Sequence, residues 1–241
     1  LNYSIMWIVQ WLMMSYGGGK SFPKTWLVSY YKLDNNANDA HGSNNGTLQG
    51  PTYTASGKIN GAYDFDGSND RIKIPNPSLN MASAYTLGAW IKIDAIGGEQ
   101  GIIVRDKYYD AAQERVFQFR VDSDGKIRLI RFISGGNIQA VSADAISTGA
   151  WYFVVATFDN SVGSKIYING SQNGTTQTTT TNNVNGTNSD VYLGAMENSN
   201  VYPYIDHFLN GIIDEVGIWS RALTSDEITQ LYNNGNGLAY S

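Results

Sequence analysis

Short apolar runs separated by turn signals constrain this 241-residue chain more than any other feature. From Trp26 onward the runs last about five to nine residues and are rich in Val, Ile, Tyr, Phe and Trp, as β-strands are. Asp-Gly and Asn-Gly pairs stand between them, most clearly in VDSDGKI and YINGSQ, and such pairs favour tight hairpins. The pattern predicts an all-β protein, either an antiparallel sandwich or a barrel.

The C-terminal end predicts one short helix, near residues 225–233. In TSDEITQLYNNG, Thr224 or Ser225 is suited to cap the helix, and Glu227 follows Thr224 at the capping-box spacing. Three apolar side chains share one face of this helix: Ile228, Leu231 and Tyr232. We therefore expect the helix to dock on an edge or an end of the sandwich.

Composition excludes several classes of protein. The formal net charge is −5 and the 16 Lys and Arg residues form no cluster, which argues against a nucleic-acid partner. The chain has no cysteine, so disulfides, cysteine-based metal sites and cysteine nucleophiles are excluded.

Residues 1–25 differ from the remainder of the chain. The stretch YSIMWIVQWLMMSY is almost wholly apolar but too short for a standard transmembrane helix, and Gly17–Gly19 resemble a flexible joint. GGGKS is not a phosphate-binding loop, because Met14 stands where that motif needs glycine. The segment could pack on its own domain, pack on another copy through Trp7, Trp11 and Leu12, or, less favoured, contact a membrane.

Four stretches of residues 26–238 resemble, in order, the laminin G-like jelly-roll domain of the concanavalin A-like lectin and glucanase superfamily. They are LVSYYKLDNNANDAHGSNNGT, GKINGAYDFDGSNDRIKIP, the pair YTLGAWIKI and AWYFVVATFDNSVGSKIYINGS, and FLNGIIDEVGIWSRALTSDEITQLYNNG. The resemblance implies an antiparallel jelly-roll sandwich of two sheets with one short C-terminal helix, occupying residues 26–241.

The resemblance also implies a structural calcium ion. Domains of this family often hold one near the opening loop, the Phe-Asp-Gly turn and the closing strand, which corresponds to Asp39, Asp66 and Asp214, with Asp34 and Asp70 in reserve. Calcium takes six to eight oxygen ligands, which loops rich in Asp and Asn supply. The alternative is that these aspartates form turns or accept hydrogen bonds from neighbouring loops.

Catalysis is disfavoured. The glucanase pattern of Glu, Asp and Glu alternating on one strand is missing, although Asp64 and Asp66 do share a face. Asp214 and Glu215 are adjacent, so we expect them to point to opposite faces of their strand. The histidines His41 and His207 have no evident Ser or Cys partner.

The sequence therefore predicts a non-catalytic carbohydrate-binding or adhesion module, extracellular or on the cell surface as part of a larger assembly. Its partner would be a carbohydrate or a glycoprotein surface. The predicted ligand-binding residues are four tyrosines in loop-like stretches: Tyr108, Tyr109, Tyr202 and Tyr204. Trp90, Trp151 and Trp219 are expected to fill the core. The alternatives are a structural subunit of a multimer or filament, joined through the N-terminal segment, and, less favoured, a glycoside hydrolase.

Overall fold

The computed structural model describes residues 21–75, 77, 79, 81–107, 114–184, 186, 189–197 and 205–241. In this part of the chain the strands are β1 (Leu27–Tyr31), β2 (Thr47–Gln49), β3 (Thr52–Thr54), β4 (Ala62–Asp66), β5 (Arg71–Ile74), β6 (Ala84–Ile93), β7 (Gln100–Asp106), β8 (Arg115–Val121), β9 (Lys126–Ile133), β10 (Gly136–Ala145), β11 (Trp151–Asp159), β12 (Gly163–Ile168), β13 (Ser171–Gln172), β14 (Val191–Leu193), β15 (Met196–Glu197), β16 (Ile205–Asp206) and β17 (Asn210–Trp219). The helix α1 spans Ser225–Tyr232, and a 3-10 turn, Asn233–Gly235, follows it.

Two large antiparallel sheets form a sandwich. The first sheet has the order β13-β12-β11-β6-β17-β4-β3, and β1 pairs with the second half of β17 beside β4. The second sheet has the order β10-β9-β8-β7-β14-β5-β2, while β15 and β16 form a small separate hairpin. Because neighbouring strands in each sheet are often distant in sequence, the chain passes repeatedly between the sheets, as in a jelly roll. The predicted fold class is confirmed.

The main core lies between the two sheets. Strand β11 is apolar on both faces and lies between β12 and β6. Alternating residues of β6 and β8, among them Leu87, Ile91, Phe117 and Phe119, point into this core. The two-residue period of the strands thus decides which side chains fill the space between the sheets.

A second apolar cluster covers the outer face of the first sheet. Helix α1 contributes Ile228 and Leu231, which pack with Trp90 and Trp219. The predicted helix is confirmed, and it buries the face that its sequence pattern made apolar. The expected docking position is wrong, because the helix packs on the outer face of the first sheet and not on an edge or an end of the sandwich. Trp90 and Trp219 are buried as expected, whereas Trp151 is only partly buried at the margin of the cluster.

The predicted assembly residues Trp7, Trp11 and Leu12 lie outside the described residues. Within the described ranges, no helix is both long enough and apolar enough to span a membrane.

Candidate functional site

The acidic pair Asp214–Glu215 sits at a β-bulge in β17. Asp214 pairs with Trp90 and Gly217 with Gly88, so β17 holds one more residue than β6 between these two pairs. Glu215 adopts a left-handed φ of 49° at this point. The expectation that the two carboxylates point to opposite faces is wrong, because the bulge interrupts the alternation.

The neighbours of the pair show where both side chains point. Ile213 and Val216 both lie in the core between the sheets. Asp214 alternates with Ile213 and Glu215 with Val216, so both carboxylates lie on the outer side of the first sheet. They are nonetheless buried, with 0% of Asp214 and 3% of Glu215 exposed.

The environment of the pair favours the protonated acids. Burial raises the pKa of Asp214 to about 7, against the opposing effect of backbone N–H donors from Ile59, Lys58 and Glu215. Burial also raises the pKa of Glu215 to about 8, although its carboxylate accepts a hydrogen bond from the Tyr30 hydroxyl. The pair is thus a buried structural junction that joins β17 to β1 and to the loop before β4.

Asp39 organises the loop after β1 through backbone hydrogen bonds. Its Oδ1 accepts the N–H groups of Tyr30 at 3.0 Å, His41 at 3.0 Å and Gly42 at 2.9 Å. Its Oδ2 accepts the N–H of Asn44 at 3.1 Å. Burial alone would raise the pKa of Asp39, but these backbone donors outweigh it and the pKa is lowered. Four N–H dipoles directed at one carboxylate disfavour a cation at the same oxygens.

The other predicted calcium ligands are also held by backbone donors. Asp66 accepts N–H groups of Ser68 and Asn69, as an aspartate does in a turn, and Asp70 accepts the N–H of Asp66. In the part of the chain that the structure describes, no three His, Asp or Glu side chains form a group that could hold a metal. Asp39, Asp66 and Asp214 are thus not brought together in one such group, and calcium binding by them stays a prediction.

A groove on the second sheet combines many polar side chains with an apolar floor. Its volume is about 270 Å³, and β8, β9, β10 and the β15–β16 hairpin surround it. The floor is formed by Ile130 and Phe132 of β9, and the hairpin contributes Met196 and Glu197. Beyond Asn137 the groove continues into a depression of about 410 Å³ at the β9–β10 turn.

A bulge in β8 brings Arg115 to this groove. Arg105 pairs with Phe117 and Asp106 with Arg115, which leaves Val116 as an extra residue. Val116 and Phe117 are therefore both in the core. Under strict alternation, Arg115 would share a face of the strand with Phe117, and Val116 would share the other face with Gln118. The guanidinium of Arg115 lies over the ring of Phe132, 3.9 Å from its centroid.

Ion pairs fix the polar side chains of the groove. Arg115 forms a two-pronged pair with Asp106, with Nε–Oδ1 and Nη2–Oδ2 distances of 2.7 and 2.9 Å. Arg120 forms a similar pair with Glu99, at 2.7 and 2.6 Å. Gln118 lies between the pairs, donating to Asp106 and accepting from Arg120. Planar groups held in this way present fixed donors and acceptors to a ligand.

The predicted ligand-binding tyrosines Tyr108, Tyr109, Tyr202 and Tyr204 lie outside the described residues. The sequence analysis missed Gln118, Arg120 and Asn137 as groove residues. The signal available in the sequence is the alternation of Gln118 and Arg120 with apolar residues in RVFQFRV.

The fold and the groove define a lectin-like jelly-roll domain. Residues 66–229 match the laminin G family model described as "Concanavalin A-like lectin/glucanases superfamily". The chain therefore belongs to the laminin G-like family of this superfamily. A search of curated proteins found no match.

Solved structures share this fold at low sequence identity. Domain 4 of AbnA, an extracellular GH43 arabinanase from Geobacillus stearothermophilus solved with arabinotriose, gives a TM-score of 0.65 at 24% identity, covering 84% of this chain and 96% of that domain. The binding domain of Paraclostridial Mosquitocidal Protein 1 gives a TM-score of 0.66 at 17% identity, covering 88% of this chain and 53% of that one.

A third structure is the ligand-binding domain of botulinum neurotoxin serotype D, solved with N-acetylneuraminic acid. It gives a TM-score of 0.64 at 18% identity, covering 86% of this chain and 50% of that one. This chain thus spans about half the length of the toxin binding domains.

Proposed function

We propose that this chain is a non-catalytic carbohydrate-binding or adhesion module of an extracellular or surface-displayed protein, and that it binds glycans in the groove on the second sheet. The observation that carries this proposal is the groove itself. Gln118, Arg120 and Asn137 line the groove together with Phe132, and hydrogen bonds to Asp106 and Glu99 hold Gln118 and Arg120 in place. Sugars present both hydroxyl groups and apolar C–H faces, so polar groups around an aromatic floor complement them.

The structural neighbours support the same class of ligand. The arabinanase domain was solved with arabinotriose, and the serotype D toxin domain with N-acetylneuraminic acid. The likeness extends to the fold only, so the identity of the glycan has to come from this chain's own groove.

The state of the buried carboxylates supports a non-catalytic role. A retaining glycosidase needs two carboxyl groups about 5 Å apart on either side of the scissile bond. Asp214 and Glu215 lie side by side, but they are buried beneath the cluster that α1 covers. A sugar would have to displace that cover in order to reach them.

A glycan array followed by isothermal titration calorimetry tests the proposal. We expect a glycan that binds the full-length chain, and we expect Asn137→Ala and Phe132→Ala each to weaken that binding roughly tenfold or more. Gln172→Ala removes an exposed amide side chain from the edge of the first sheet and serves as the control. Absence of binding to any glycan, or equal binding by all variants, would contradict the proposal.

A further inference from the structure

The basic side chains of the groove are already paired with acids. Among the described residues that line it, Arg115 is held by Asp106 and Arg120 by Glu99. The Nε of Arg120 also donates to Asp122, at 3.0 Å, so each of its three nitrogens donates to a protein acceptor. The positive charge of each arginine is therefore already compensated by a carboxylate, which weakens its attraction for an external anion.

Among the described residues, the surroundings of the groove also carry more negative than positive side chains. Three arginines take part in the network: Arg115, Arg120 and Arg128. Five carboxylates lie in it or beside it: Glu99, Asp106, Asp122, Glu197 and Asp206. His207 lies between two of these acids, Asp206 and Glu99.

At the Arg120–Glu99 pair the acid is more accessible than the arginine, whereas at the Arg115–Asp106 pair the arginine is the more accessible partner. The side chain of Glu99 is 39% exposed, whereas that of Arg120 is 11% exposed. An anionic ligand that approaches Arg120 would therefore meet the carboxylate of Glu99 first. To reach a guanidinium, it would have to replace Glu99 or Asp106 and leave that acid unpaired, which is costly for a partly buried charge.

Building on the proposed function, we infer that the groove selects uncharged oligosaccharides over anionic ones. A sugar hydroxyl both donates and accepts hydrogen bonds, so it adds to the outer edges of the ion pairs without breaking them. Sialylated and uronic-acid glycans carry a carboxylate, and both arginines among the described groove residues are already paired with an acid.

Calorimetry with matched probes tests this selectivity. Lactose and arabinotriose are uncharged probes, and sialyllactose is the anionic counterpart of lactose. We expect the glycans that bind on the array to be uncharged. We expect sialyllactose to bind no more tightly than lactose. The affinities should change less than twofold between low and high salt. Tighter binding of anionic glycans, weakened by salt, would overturn the selectivity while leaving the proposed function intact. Absence of all glycan binding would refute the proposed function and this inference together.

A charge variant gives a second, independent readout. Glu99→Gln releases the guanidinium of Arg120 from its partner, so we expect a roughly tenfold gain in affinity for sialyllactose. Asp190→Asn is the matched control, since it also removes an acid from an ion pair of the second sheet, with Lys73, but that pair lies outside the groove. A Glu99→Gln variant with no gain over this control would show that Arg120 pairing does not set the selectivity.

Discussion

The left-handed backbone at Glu215 determines the placement of two acids. Non-glycine residues seldom adopt a positive φ, and here that geometry accompanies the bulge in β17. As a result Asp214 and Glu215 lie on one face, close to Asp34 and to the Tyr30 hydroxyl. Lys32 is the basic group whose charge partly offsets theirs. Burial of two adjacent acids makes this junction sensitive to pH.

The first prediction concerns that sensitivity. The pKa of Glu215 rises from an ordinary value of 4.5 to about 8, so the folded chain holds a proton that the unfolded chain releases. This contribution to stability is full below about pH 4.5 and is lost as the pH rises through about 8. Glu215→Gln keeps an acceptor for Tyr30 and stays neutral, so it should raise the free energy of unfolding at alkaline pH by about 1–3 kcal/mol and change little near pH 5.

Urea unfolding measured across that pH range checks this expectation. Glu114→Gln, at a partly exposed side chain just before β8, is the control and should retain the wild-type slope of stability against pH. The same slope in Glu215→Gln as in wild type would show that Glu215 does not hold the proton.

The second prediction concerns Asp39 as a turn-forming residue. Asp39→Ala leaves the N–H groups of Tyr30, His41, Gly42 and Asn44 without their acceptor, which should cost about 1–3 kcal/mol of stability. Thermal unfolding with and without a calcium chelator separates the two roles. If Asp39 only accepts backbone N–H groups, its substitution destabilises equally in both conditions. A loss that appears only in the calcium-containing sample would assign the residue to a metal site.

At the scale of elements, the bulge in β8 and the helix α1 give the two sheets different outer faces. The bulge places Arg115 in line with Gln118 and Arg120, and so makes the outer face of the second sheet polar. Helix α1 instead covers the outer face of the first sheet with Ile228 and Leu231. One outer face is therefore closed by the chain itself, and the other has an open groove.

The third prediction concerns the start of α1. The Thr224 side chain accepts the N–H of Glu227, the Glu227 side chain accepts the N–H of Thr224, and Arg221 pairs with Glu227. Thr224→Ala should lower the free energy of unfolding by about 1 kcal/mol, because the backbone N–H of Glu227 loses its acceptor. Ser225→Ala, one residue later, changes an exposed hydroxyl that is not the cap and should have a smaller effect in the same denaturation assay. Equal losses in the two variants would contradict the capping assignment.

At the scale of the whole molecule, contacts of the sandwich begin before the first strand. Phe22 packs edge-on against Tyr30 and stacks with Trp219, whose Nε1 donates to the carbonyl of Pro23. Gln230 of α1 also donates to the carbonyl of Ser21. A truncation that preserves the domain should therefore retain Ser21 and Phe22.

The fourth prediction concerns residues 1–20. The apolar side chains of this segment, Trp7, Trp11 and Leu12 among them, make it a proposed assembly element, since soluble monomers seldom expose such a patch. The full-length chain should be multimeric, and deletion of residues 1–20 should leave a folded monomer, as measured by size-exclusion chromatography with light scattering. Deletion of residues 1–22 is the comparison, and it should melt at a lower temperature because Phe22 is lost. A monomeric full-length chain would contradict the assembly proposal.

The sequence by itself determined the features that depend on local pattern. Alternating apolar residues and Asn-Gly or Asp-Gly turns predicted the strands, and Thr224, Glu227 and the Ile228 face predicted the helix, because period and capping are properties of neighbouring residues. The order of the resembling stretches predicted the jelly roll, which the family match over residues 66–229 bears out.

Only the tertiary structure decided where the bulges fall and what they expose. An extra residue in β8 or β17 is defined by the register of the partner strand, which is distant in sequence and leaves no local signature. That register placed Asp214 and Glu215 on one face and brought Arg115 beside Gln118. The backbone donors of Lys58 and Ile59 to Asp214 likewise lie in a loop that only the folded chain brings to β17, whereas most donors to Asp39 come from its own loop.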